Sequence, residues 1–143
     1  MAETKYGKYV MTNPRLVETK ILAHHKDIPD SGVHLEYISE DTCPGVPCRV
    51  TVSWEHDPPE ESLIVPHQHD VDEILLFVAM GRDEDLGVDV SIALGEEGEV
   101  HTFNRTTLVY IPAGLKHGPL LQKNPDKSKY HCTVVFLMRP YYA

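Results

Sequence analysis

Pro66-His67-Gln68-His69-Asp70-Val71-Asp72-Glu73, running straight into the apolar Ile74-Leu75-Leu76-Phe77-Val78, is the stretch on which this chain turns. On an extended backbone side chains repeat every two residues, so His67 and His69 point to one side. Glu73 lies four residues further on and faces the same way if the extended path continues. A further donor arrives in Ile111-Pro112-Ala113-Gly114-Leu115-Lys116-His117, where a Pro-x-Gly turn stops one strand and aims the next. Three neutral imidazoles and one carboxylate suit a divalent first-row transition metal: Mn, Fe, Zn, Ni or Co. Taken singly, His67-Gln68-His69 reads as a solvated loop and His117 as a turn histidine hydrogen-bonded to backbone. Taken together with Glu73, the apolar strand and the Pro-x-Gly turn, they read as a metal site.

The two segments resemble the paired signature motifs of the cupin superfamily. The first motif there runs Gly, five residues, His-x-His, three or four residues, Glu, six residues, Gly; here His67, His69 and Glu73 fill it. Glu61 stands where the opening Gly belongs, and Gly81 closes the motif one residue late. The second runs Gly, five residues, Pro-x-Gly, two residues, His, three residues, Asn; here Pro112, Gly114 and His117 match, with Thr106 and Leu121 at its two ends. All departures fall on framework positions, and every ligand position is filled. The resemblance covers about residues 48–138. It implies an all-β, cupin-type jelly-roll barrel with His67, His69, Glu73 and His117 holding a metal inside. A homodimer is the expectation it carries for a protein of this size.

Strand signals elsewhere agree. Leu35 to Ile38 and Cys48 to Trp54 alternate and are rich in β-branched or aromatic residues. Ile74 to Met80 is a nearly continuous apolar strand, Val88 to Leu94 and Glu99 to Phe103 flank a Gly95–Gly98 hairpin turn, and Thr107 to Ile111 and Tyr130 to Met138 complete the set. Arg82 to Gly87 reads as an acidic turn. Short strands joined by Gly and Pro turns indicate a sandwich or barrel. Thr12 to His25 reads as a short helix or an arm, which divides the chain into an N-terminal arm (1–30) and one barrel domain (31–143).

A length of 143 residues fits one small core. A formal charge of −9 argues against nucleic acid as a partner, since phosphate contacts need clustered Lys and Arg. No apolar stretch reaches the length of a membrane span, and the first residues carry no apolar leader, so the expected location is the cytoplasm. The three cysteines are then expected as thiols, Cys132 packed in a strand, with a loop disulfide between Cys43 and Cys48 left open.

Four protein ligands around an ion that prefers six leave two adjacent positions, as a bidentate oxygen substrate requires. The expected activity is therefore metal-dependent and acts on a small carbonyl, enol or hydroxy compound. It proceeds by Lewis-acid hydrolysis, isomerisation or C–C cleavage, with an Fe(II)-dependent dioxygenase as the alternative. A non-catalytic ligand-binding or sensing module is the reading from another class, because the same barrel serves both. Glu73 is a ligand or, if it swings away, a base. His34 and His101 lie on strands and face either the interior or solvent. Arg49 faces either solvent or the interior, where it would grip a substrate carboxylate.

Overall fold

The computed structural model describes residues 4–17, 33–39, 43, 45–58 and 64–138. Its strands, in chain order, are β1 (Arg15–Val17), β2 (Val33–Ile38), β3 (Cys48–Glu55), β4 (Glu73–Ala79), β5 (Asp85–Leu94), β6 (Glu99–Arg105), β7 (Thr107–Ile111), β8 (His117–Lys123) and β9 (His131–Met138). They form two antiparallel sheets, one ordered β1-β2-β3-β9-β4-β7 and the other β6-β5-β8. The last strand inserts between β3 and β4, so the large sheet is closed by residues remote in sequence. This is a jelly-roll arrangement, as expected.

Alternation explains which residues face in. Buried positions on β4 are Glu73, Leu75 and Phe77, and on β5 Leu86, Val88, Val90 and Ile92. The apolar ones meet between the sheets with Ile111 as one core, and Phe103 from β6 packs edge-on against Phe77 at 5.2 Å. Burying a side chain such as Phe77 contributes about 1.5–3 kcal/mol. The intervening β4 residues Ile74, Leu76 and Val78 stand half-buried on the outer face, which is why the strand reads as continuously apolar.

Register fixes the interior rows of the large sheet. Arg49, Leu137, Glu73 and Ile111 are aligned across β3, β9, β4 and β7. Two rows further along come Ser53, Thr133, Phe77 and Thr107, and the row after that holds Glu55, His131 and Ala79. The metal motif thus lies at one end of the barrel and a second polar row at the other.

Several expectations change. The acidic turn is shorter than its sequence suggests, because β5 begins at Asp85, not Val88. Lys129 reaches both Asp83 (3.2 Å) and Asp85 (2.7 Å), neutralising the turn and letting the strand start early. His117–Lys123 is a full strand that the sequence reading did not mark, its Gly118-Pro119 start hiding the pattern. Arg15–Val17 pairs with β2 as an edge strand and is not helical. The rest of Thr12–His25 from residue 18 onward, and the boundary drawn at residue 30, lie outside the described residues. Among the described residues, no helix is long and apolar enough to cross a membrane.

Candidate metal centre

The segment from Gln68 to Asp72 is not strand, so the ligands do not share one extended path. The sites converge for another reason. His67 forms an isolated bridge with His117, His67 N–H donating to His117 O (3.0 Å) and His117 N–H to His67 O (2.8 Å). Gly114 N–H donates to the carbonyl of His69 at 2.7 Å, and this turn residue has φ +83. Backbone pairing therefore carries the first motif onto the second, while β4 begins with Glu73 pointing inward.

Gly118 makes the approach possible. Its φ is +101, and a β-carbon there would meet backbone, 3.2 Å from Val65 O and 3.3 Å from Pro66 Cα. Only glycine accepts both the conformation and the contact.

His67, His69, Glu73 and His117 offer one donor atom each, all within 4.8 Å of one another. Glu73 and His117 form the buried floor, while His67 and His69 stand half-buried at the rim. His67 Nδ1 lies 2.7 Å from Val65 O and His117 Nδ1 3.0 Å from Leu115 O. Each Nδ1 therefore carries its proton toward a carbonyl, and the lone pair then lies on Nε2, the atom that would bind a metal. Glu73 Oε2 lies 3.1 Å from His69 Nε2 and 3.2 Å from His117 Nε2.

These short contacts are not aligned hydrogen bonds. Glu73 Oε2 and His117 Nε2 are both buried without a hydrogen-bond partner. Each such orphan costs about 1–3 kcal/mol, and a cation among the four donors removes the cost. The donor set of three nitrogens and one oxygen fits a divalent transition ion.

Electrostatics run the same way. Burial by itself would raise the Glu73 carboxyl, but the adjacent His117 and His69 outweigh it and hold it at about 2, so it is ionised at neutral pH. Burial, opposed by the Val65 carbonyl and reinforced by the other two imidazoles, lowers His67 and favours its neutral, ligating form. Burial also works to lower His117, but contact with Glu73 and with the Leu115 carbonyl raises it.

Asp72 was not singled out in the sequence, yet it braces the centre from behind. Its carboxylate accepts from Ala113 N–H (2.8 Å) and from the Tyr110 hydroxyl (2.9 Å), tying the residue before Glu73 to the turn before His117. Alternation next to an inward ligand was the available signal; its partners were not visible in one dimension.

The remaining sequence candidates separate. Arg49 sits in the interior row of Glu73, with Leu137 between them. Its Nε donates to Glu36 Oε1 at 2.7 Å, and the fully buried Glu36 also takes Arg15 and Ser39. The strand thus brings Arg49 to the metal's side of the sheet but engages it with an internal carboxylate. His34 pairs with Ser53 on β2, and its side chain lies outside the described residues. His101 is exposed and bonded to Glu99 at 2.6 Å, so its inward alternative is overturned: β6 turns that face to solvent. Cys43, Cys48 and Cys132 are free thiols, so the loop disulfide is not formed.

No protein-family model matches the sequence. No curated protein sequence matches it. Similarity is found at the level of structure. Fe(II)-HppE with the alternative substrate (S)-1-HPP superposes with TM-score 0.54 at 10% identity, over 90% of this chain and 60% of that one. The chain thus spans about three-fifths of the HppE chain's length. The polyketide cyclase RemF from Streptomyces resistomycificus gives 0.52 at 14% identity, covering 94% and 88% of the two chains. A conserved protein of unknown function from Streptococcus pyogenes gives 0.51 at 14%, covering 92% and 98%. At such identities the likeness is one of fold.

Proposed function

We propose that this chain, which has the jelly-roll fold of the cupins, is a metal-dependent enzyme for a small oxygenated substrate bearing a carbonyl, enol or hydroxy group. The observation that carries it is the convergence of four donor atoms within 4.8 Å, two of the residues buried and two at the rim. Imidazole and carboxylate without thiolate is the donor set of open, reactive sites more than of closed structural ones. A divalent ion held there would polarise a carbonyl oxygen or lower the pKa of bound water.

The residues supply orientation and charge. Val65 O and Leu115 O fix the imidazole rotations, and ionised Glu73 contributes one negative charge to the floor. The half-buried rim of His67 and His69 leaves a side on which substrate enters. Redox-neutral chemistry, namely hydrolysis, isomerisation or C–C cleavage, is the reading we favour. RemF, named as a polyketide cyclase, supports it by fold and by the carbonyl character of polyketides. The second reading, an Fe(II)-dependent dioxygenase, draws on HppE, whose structure is described with Fe(II).

Elemental analysis of protein purified without oxygen, followed by turnover with and without oxygen, tests the pair. Iron near one per chain with oxygen-dependent loss of a catechol or diketone supports the dioxygenase. Manganese, zinc, nickel or cobalt at that level with oxygen-independent turnover supports the favoured reading. Full metal content retained by both His69→Ala and His117→Ala refutes the centre itself.

We also propose that the partner of the outer sheet face is a second copy of the chain. Among the described residues the strands present apolar side chains there, with the Asp72 carboxylate at the edge bonded to Tyr110: Leu76, Val134 and Phe136 are half-buried, and Trp54, Leu108 and Tyr110 are 49%, 55% and 54% exposed. Four strands about 4.8 Å apart over about 20 Å of length make on the order of 400 Å² in projection, and more with side-chain relief. That is the scale of the largest apolar patch on a typical monomer, which is often functional. Apolar strand side chains meet their own copy across a two-fold axis without repulsion at the centre of the face, although the chain carries −9. Light scattering on the wild type and Leu108→Glu decides: a dimer dissociated by the substitution supports the proposal, and a wild-type monomer at high concentration overturns it.

A further inference from the structure

We propose that the end of the barrel opposite the first centre holds a second divalent-cation site, built from Glu55, Gln122 and His131. Glu55 and His131 are register partners at the ends of β3 and β9, and the β4 residue completing their row is Ala79, too small to crowd them. Gln122 reaches in from β8 of the other sheet. Three donors from three strands and both sheets thus meet in one place.

The geometry repeats that of the first centre. His131 Nε2 lies 3.2 Å from Glu55 Oε2, the separation found between His117 and Glu73. Gln122 Nε2 donates to the same Glu55 oxygen at 2.6 Å, and the Thr133 hydroxyl stands 3.4 Å from Oε1. His131 and Gln122 are 2% and 6% exposed, yet His131 Nε2 and Gln122 Oε1 have no hydrogen-bond partner. Among the described residues, buried side-chain atoms in this condition gather only at the two ends of the barrel.

Exchanging the amide oxygen and nitrogen of Gln122 presents Oε1 to the same point as the carboxylate and the imidazole. One nitrogen and two oxygens then surround a point that a cation satisfies at about 2.0–2.2 Å from each. This donor set takes zinc or another borderline divalent ion. The exchange replaces the bond from Gln122 Nε2 to Glu55, so His131 Nε2, buried beside the carboxylate, is the orphan that the cation satisfies.

The site is independent of the first. Glu73 and Ala79 stand at the two ends of β4, about 20 Å of strand apart, with Leu75 and Phe77 filling the interior between. A cation there would clamp the two sheets together at the end away from the chemistry.

The test removes the first centre. The His69→Ala/His117→Ala double variant is titrated with Zn²⁺ by calorimetry and its zinc content measured after gel filtration. We expect one zinc per chain and a Zn²⁺-dependent rise in Tm. Adding His131→Gln or Glu55→Gln should weaken that binding at least tenfold, with far-UV circular dichroism confirming that each variant folds. Failure of the folded double variant to bind Zn²⁺ overturns the proposal. So does Zn²⁺ binding that both added substitutions leave unchanged. If a triple variant does not fold, Gln122→Leu in the same background replaces it, and unchanged Zn²⁺ affinity there overturns the site. Because the first centre is absent throughout, these outcomes do not depend on the reaction proposed for it.

Discussion

Removing the Asp72 carboxylate should weaken metal binding without touching a ligand. It makes two bonds, to Ala113 N–H at 2.8 Å and to the Tyr110 hydroxyl at 2.9 Å, and both partners are exposed. An ionised acceptor strengthens such bonds and exposure weakens them, which leaves the ordinary net value of about 1 kcal/mol each. Losing both therefore costs about 2 kcal/mol, which is about 30-fold in an equilibrium constant. The loss falls on metal affinity because the freed turn must be reordered when His117 is brought beside Glu73. Tyr110→Phe deletes one bond and should cost about fivefold. Asp72→Asn keeps an acceptor for Ala113 N–H and should lie between wild type and Asp72→Ala. The assay is competition for Zn²⁺ or Mn²⁺ against a chromophoric chelator, with Tm recorded on the metal-free proteins. Asp72→Ala with wild-type metal affinity and a lowered Tm would show that the brace serves the fold alone, and the reasoning would fail.

Three further outcomes are expected. Arg49→Ala leaves the buried Glu36, among the described residues, with Arg15 and Ser39; breaking a buried pair costs about 3–5 kcal/mol, and the surviving Arg15 holds this loss near 3, readable as a shift in urea midpoint, with an unchanged midpoint as the contrary result. Gly118→Ala places a β-carbon against Val65 O and Pro66 Cα at positive φ, so it should destabilise by about 1–3 kcal/mol and lower metal content by displacing His67; retention of both refutes the close-approach argument. Burial and the charge of Glu55 hold the Cys132 thiol above its ordinary range, leaving little thiolate at pH 8, so iodoacetamide should label the partly exposed Cys43 and Cys48 first; early labelling of Cys132 by mass spectrometry counts against that placement.

Much of the centre is legible in one dimension because its information is local. His67, His69 and Glu73 lie within seven residues, and Pro112, Gly114 and His117 mark the turn by residue type. The alternation of β2 and β3 likewise appears as period-two patterning, since each strand's two faces meet different surroundings, whereas β4 reads as continuously apolar. The extended path from His69 to Glu73 does not exist, because cross-strand pairing of His67 with His117 aligns the donors instead. Strand β8 escaped because glycine and proline open it, and β5 began early because Lys129, more than forty residues away, neutralises its first acids.

The sequence by itself determined the chemical character of this protein: the ligand types, the all-β patterning, the acidic charge. The tertiary structure alone decided what meets across the barrel. Register puts Arg49 in the row of Glu73, where Glu36 engages it, and joins Glu55 to His131 on the last strand, while the closure of the two sheets brings Gln122 to Glu55 across 67 residues. Such contacts leave no periodic trace, because the physics that creates them is the pairing of distant strands and the closure of two sheets around one interior.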